Sequence, residues 1–218
     1  MPCQICEKRK PRRHCPAVRG GICPVCCGEE REQTLDCPLD CEYLREARSF
    51  EKPRGTESPE APFAEVKLTD SLMERNDTLV EFAAALLMEC ALSTPAIIDA
   101  DVRECLEALA RTYKSLESGI LYESVPNNIL AAGLYHRIHG GIRQLRETVA
   151  RQSGVTTIRD ADVLAVFVFL ARMAADHDNG RRRGRAFIDF LRSYFAESAG
   201  RRAGQEAGGP QGSPIVLP

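Results

Sequence analysis

Tryptophan is absent from this 218-residue chain, aromatic side chains make up only 6% of it, and none precedes Tyr43. An N-terminal segment so poor in large apolar groups cannot bury a core by itself. No apolar run approaches the roughly 20 residues needed to span a bilayer. Cys3 follows Met1 and Pro2 directly, which leaves no room for a secretory leader, so the chain reads as cytoplasmic and off the membrane. Net charge is missing too: 28% of residues are charged, yet they sum to −2, so no overall basicity advertises nucleic acid. There is no phosphate-cradling glycine loop, no serine nucleophile elbow, no dinucleotide fingerprint and no internal repeat. The common sequence routes to nucleotide and ester chemistry are therefore closed.

Cysteine is what the chain has in quantity. Eight of its ten cysteines fall in the first 41 residues: Cys3, Cys6, Cys15, Cys23, Cys26, Cys27, Cys37 and Cys41. In a reducing compartment such a cluster reads as a metal site and not as a disulfide framework. Cys3-x2-Cys6 is a thiolate knuckle, whose two intervening residues let both sulfurs reach one ion about 2.3 Å away. Cys23-x3-Cys27 makes a second knuckle, with Cys26 also available, and a spare thiolate at Cys26–Cys27 would be the most reactive point. Cys37 and Cys41 stand i, i+4 and share a helix face. Pro38 suits the first helical position after an N-cap at Cys37, and Asp40 favours the positive helix end. That helix should run on through Tyr43, Leu44 and Ala47.

These spacings resemble those of HIT-type and MYND-type zinc fingers, over the first fifth of the chain only. The matching residues are Cys3-x2-Cys6, Cys15-Pro16, Cys23-x3-Cys27 and Cys37-x3-Cys41. The resemblance implies a treble-clef-like module holding one or two structural Zn²⁺ ions. It implies one site from Cys3, Cys6, Cys23 and Cys27, and another from Cys15, Cys37 and Cys41. Where the family supplies a fourth ligand to the second site, this chain has Val18. Cys26 or His14 could replace it, or the site could hold three ligands or none. An all-cysteine site leaves no open position for water or substrate, so it supplies folding energy and not Lewis acidity.

The rest of the chain reads as α-helical, which makes the fold class mainly α. Residues 1–50 form the metal module and 51–64 a linker with three prolines. Residues 65–197 form a bundle of about five helices, and 198–218 a disordered tail. Ser71-x-x-Glu74 is a capping box opening a helix with Leu72, Leu79, Ala83, Leu86, Leu87 and Cys90 on one face. Asp99 or Asp101 caps a second, striped by Val102, Cys105, Leu106, Leu109, Tyr113 and Leu116. Cys90 and Cys105 belong to these stripes and read as core residues. Asn127-Asn128 caps a third helix, with a bend expected at Gly140-Gly141. The fourth, starting at Asp160 or Asp162, is apolar all round from Val163 to Leu170 and belongs at the centre. The last carries Phe187, Ile188, Leu191, Tyr194 and Phe195.

Three constellations bear on function. Lys8, Arg9, Lys10, Arg12, Arg13 and Arg19 stand against one acid between Glu7 and Gly20, whereas residues 29–46 carry seven acids against Arg31 and Arg45. Arg181, Arg182, Arg183 and Arg185 crowd the start of the last helix, where the dipole disfavours cations, and could grip phosphate or an acidic partner. His136 and His139, with His177 and Asp178, invite a metal-dependent hydrolase akin to the HD-domain phosphohydrolases, although that family's closing aspartate has no counterpart. The leading expectation is a non-enzymatic adaptor: the finger recognises a protein partner, and the bundle supplies a second surface or dimerises. Nucleic-acid binding through Lys8–Arg13 and Arg181–Arg185 is the first alternative, and the hydrolase the second.

Overall fold

The computed structural model describes residues 1–51, 61–154 and 158–207, the last nine as backbone only. Within them β1 (Arg13–Cys15) pairs antiparallel with β2 (Gly20–Ile22), Arg13 opposite Ile22 and Cys15 opposite Gly20. α1 (Pro24–Glu30) begins at once, with Cys23 as N-cap and Pro24 in the first turn, where its missing N–H costs nothing. Knuckle, hairpin and short helix follow in the order of a treble clef. Among the described residues everything after them is helical or loop, apart from an isolated bridge between Arg31 and Leu35.

α2 (Glu42–Arg48) opens later than the spacing suggests: its N-cap is Cys41, not Cys37. Cys37 precedes a proline, which biases it to extended backbone. The Cys41 amide then turns back to the Pro38 carbonyl at 3.0 Å.

The helix expected from Ser71 is two helices, α3 (Asp70–Arg75) and α4 (Asp77–Leu92). Thr69 caps α3 in place of Ser71, its Oγ1 accepting from the Leu72 amide at 3.3 Å. The break falls at Asn76, whose Nδ2 donates to the Leu72 carbonyl at 2.9 Å and to Asp162 at 3.4 Å. A side-chain amide that bonds the preceding turn competes with continuation of the ladder.

α5 (Asp99–Glu117), α6 (Ile129–Ser153), α7 (Asp160–Asp176) and α8 (Ala186–Ala207) complete the bundle. α7 buries Val163 to Val168, Leu170, Ala171 and Ala174, and packs most extensively on α5, so the all-round apolar helix does occupy the centre. Asn128 caps α6, its Oδ1 accepting from the amides of Leu130 and Ala131 at 2.9 and 3.4 Å. α6 then runs unbroken through Gly140-Gly141. Gly141 serves close packing: a Cβ there would sit 2.4 Å from Leu86 Cδ2 on α4. Where the chain re-enters at residue 61, Arg172 of α7 donates to the carbonyls of Pro62, Phe63 and Val66 at 2.7–3.1 Å.

α8 extends to Ala207, past the expected limit at 197. The tail expectation for 208–218 lies outside the described residues, as does most of the linker. Among the described residues no helix is long and apolar enough to cross a membrane.

Candidate metal centre

The ligand atoms of Cys3, Cys6, Cys23 and Cys26 lie within 4.8 Å of one another, Cys6 half-buried and the other three buried. Tetrahedral sulfurs 2.3 Å from one ion stand ~3.8 Å apart, so the set fits a thiophilic metal ion after a small contraction. Backbone geometry builds it. The Gln4 amide donates to the Gly21 carbonyl at 3.0 Å and ties the knuckle to β2. The Cys23 amide donates to Cys3 Sγ at 3.2 Å, and the Cys26 amide to Cys23 Sγ at 3.4 Å.

Those amides set the acidities. Burial alone would raise the Cys3 thiol, but the amides of Cys6, Cys23 and Ile5 outweigh it and hold Cys3 at about 6. For Cys23 the Cys26 amide is the main lowering influence, opposed by burial and helped by Arg9. Cys26 is pushed up to about 12 by burial and by the sulfurs of Cys23, Cys6 and Cys3. Four sulfurs so close repel as thiolates, and a divalent cation among them removes the conflict.

Cys26, not the implied Cys27, completes this set. Neighbours on a helix point about 100° apart around its axis, so when Cys26 faces the knuckle Cys27 must face elsewhere. Cys27 joins Cys15, Cys37 and Cys41 in lining a small, partly open cavity of about 10 Å³, bordered by Ile22, Leu44 and Tyr43; among the described residues these four do not converge within 4.8 Å as the first set does. Cys37 is pushed up to about 11 by burial; the Glu32 amide opposes the rise, while the Glu32 carboxylate and the sulfurs of Cys15 and Cys41 add to it. Val18 packs against the cysteine cluster as an apolar residue, and His14 is exposed at the rim of the second space.

Two cations of the Lys8–Arg13 run are turned toward sulfur. Arg13 donates to Cys27 Sγ at 3.4 Å while its guanidinium lies 4.5 Å from the Tyr43 ring centre. Arg9 and the Cys23 thiol shift one another: the sulfur raises the arginine and the arginine lowers the thiol. Lys8, Lys10, Arg12 and Arg19 remain exposed.

The second arginine cluster is engaged within the molecule. Arg181 donates to the carbonyls of Arg31 and Gly28 at 3.0 and 3.4 Å. Arg183 pairs with Asp36, and its amide donates to the Glu32 carbonyl at 2.7 Å. The Arg185 amide donates to the Glu32 carboxylate at 3.0 Å. The Arg182 side chain is exposed. Glu32, only 1% exposed, also accepts from Arg48 at 2.6 Å and from Asn179 at 2.9 Å. Arg48 reaches on to Asp189 of α8, and Arg192 donates to the Leu39 carbonyl at 3.0 Å. Arg181 and Arg183, with the Arg185 amide, thus seat the cysteine-rich module on the bundle, the two guanidiniums met by that module's carbonyls and by Asp36.

Within this seat Gly184 has no room for a side chain: a Cβ would lie 2.5 Å from Asn179 Oδ1 and 3.0 Å from the Arg181 carbonyl. Its carbonyl accepts from the Asp99 amide at 2.9 Å. The Asp99 carboxylate caps α8, accepting from the amides of Phe187 and Ile188 at 2.9 and 3.2 Å. Burial pushes Asp99 up to about 7; those amides oppose the rise and Glu32 adds to it. Glu32, Arg48, Asn179 and Asp189 carry no local sequence signal for this role, because their partners are remote in the chain.

The histidines do not converge. His177 Nδ1 lies 2.9 Å from the Met173 carbonyl, its ring 3.9 Å from that of Phe190, and Asp178 pairs with Arg103 at 2.9 Å. His139 sits between Tyr113 and Tyr135, with ring centres 5.6 and 5.5 Å away. Arg103 and Tyr113 are about 15 Å apart along α5 at 1.5 Å per residue, so the two histidine groups occupy opposite ends of that helix. No protein-family model matches the chain, and no curated protein or solved structure matches it either.

Proposed function

We propose that the chain is a non-enzymatic adaptor whose N-terminal module is held by structural Zn²⁺ and presents a partner-binding surface. The observation that carries this reading is the convergence of Cys3, Cys6, Cys23 and Cys26 within 4.8 Å. Four thiolates saturate a tetrahedral ion and leave no position for substrate, so bound metal would supply shape. We assign a second ion to Cys15, Cys27, Cys37 and Cys41, the four thiols that line the second small cavity. Interleaved sites of this kind are what the likeness to HIT and MYND fingers implies, with Cys26 and Cys27 exchanging roles.

The exposed face of the module carries Lys8, Lys10, Arg12 and Arg19, which suits an acidic protein partner. The same four cations favour nucleic acid as a second reading, weakened because Arg13, Arg181 and Arg183 are engaged within the molecule. Salt separates the two: nucleic-acid retention must fall steeply with ionic strength. The test is native mass spectrometry under reducing conditions, followed by affinity capture with the intact chain and a Cys3→Ser/Cys6→Ser variant. Two bound zinc ions, and partners lost by the variant, are expected. Absence of metal, or identical partners, overturns the reading.

A further inference from the structure

The bundle carries a groove that the metal module does not use. It has a volume of about 650 Å³ and lies between α3 and α4 on one side and α8 on the other, floored by α7. Its apolar surface comes from Val80, Phe169, Met173, Phe190, Tyr194 and Phe195. These repeat at helical spacings, Phe190 with Tyr194 and Phe169 with Met173. Aromatics and methionine offer a large, deformable contact area, and Tyr194 stands 48% exposed at the mouth. Such a volume and lining suit two or three inserted side chains.

The rim decides the occupant. Glu74 and Asp77 line the α3–α4 side, and among the described residues no lysine or arginine lines the groove. Glu74 and Asp77 are exposed. An apolar trough with acid along one edge complements a ligand with apolar anchors on one face and cations beside them. The chain's own 208–218 segment has no charged residue and lacks that complementarity.

We infer that this groove docks a basic amphipathic helix of a partner protein, with apolar anchors at i, i+3 or i+4, and i+7 and lysine or arginine facing Glu74 and Asp77. This goes beyond the adaptor reading by giving the bundle a recognition surface of stated chemistry. It does not depend on metal in the N-terminal module.

The test uses the full chain and two labelled 16-residue helical peptides with the same leucine and phenylalanine anchors, one with lysine and one with glutamate at the remaining positions. Fluorescence anisotropy should show the lysine peptide binding at least tenfold tighter. Glu74→Lys/Asp77→Lys should reverse that order, and Tyr194→Ala should weaken the lysine peptide at least fivefold, with helical circular dichroism unchanged. Equal affinities, no binding, or the same order in the charge-reversed variant overturn the proposal. Binding that arises only after removal of 208–218 assigns the groove to the chain's own end and overturns it. A dimer broken by Tyr194→Ala in sedimentation assigns it to a second copy, with the same result. Loss of metal binding in Cys3→Ser/Cys6→Ser with peptide affinity intact separates this surface from the metal module.

Discussion

Arg48, at the end of the helix that follows the cysteines, donates to the buried carboxylate of Glu32 at 2.6 Å and reaches Asp189 of α8 with its other amino group. One guanidinium therefore joins the metal module to the last helix. Replacing Glu32 with alanine leaves Arg48 with Asp189 as its remaining carboxylate and frees the amide of Arg185 and the amide side chain of Asn179. Losing one partner of a buried ion pair costs about 3–5 kcal/mol. Chemical denaturation of Glu32→Ala should show that loss, with the metal-to-protein ratio in native mass spectrometry unchanged. A stability within 1 kcal/mol of the parent, a difference well inside the ~3 kcal/mol lower bound, would remove Glu32 as the keystone of the seat.

Two glycine substitutions should act with opposite signs. At Gly184 a methyl group meets Asn179 Oδ1 at 2.5 Å and the Arg181 carbonyl at 3.0 Å, and overpacking of this kind costs about 1–3 kcal/mol. At Gly133, exposed on α6, a Cβ meets nothing within 4 Å. Gly133→Ala should therefore add about 0.5–1 kcal/mol through helix propensity. Thermal melts of the two variants should shift to opposite sides of the parent.

Cys26→Ser and Cys27→Ser are adjacent changes that should remove different ions. With Cys26 grouped with Cys3, Cys6 and Cys23, a Cys3→Ser/Cys26→Ser double variant should lose no more metal than either single one. Cys3→Ser/Cys27→Ser should lose both ions. Metal counts from native mass spectrometry decide it, and reversal of these pairings would restore the ligand set implied by the finger likeness.

Asp99 makes stability depend on pH. Folded, it keeps its proton up to about 7, whereas its ordinary value is 3.8. Between those values the native state binds more protons than the unfolded chain, so stability falls as pH rises from about 4 to about 7 and then levels. The steepest slope is ~1.4 kcal/mol per pH unit. Asp99→Asn has no such term. The melting temperature of the parent relative to the variant should be higher at pH 5 than at pH 8, and a constant difference would show that Asp99 is ionised throughout.

The readable parts of the sequence were those whose cause is local. The apolar run Val163–Leu170 announces a central helix because no face of it tolerates water, and the Cys3–Cys6 spacing announces two thiols that converge. Asn128 caps α6 as its position suggests, since a cap acts within three residues. The choice between Cys26 and Cys27 is not local: both lie on α1, and the position of the knuckle decides which one faces it. Asp99 reads as a cap for the helix it begins, yet it caps α8, 88 residues later. The Arg181–Arg185 run reads as a free cationic surface because its counter-charges, Glu32 and Asp36, lie about 150 positions earlier. Charge patterning within a window cannot show a partner outside it.

The seat on the bundle has a consequence for biosynthesis. Glu32 is translated 153 positions before Arg185, whose amide it accepts. At about 5–20 residues per second that interval is roughly 8–30 s. For that time the nascent amino-terminal segment lacks its eventual neighbour, and on the proposed zinc reading bound metal would be the main support of its form. Metal supply at the ribosome, more than the hydrophobicity of the later helices, should govern how much newly made chain escapes aggregation.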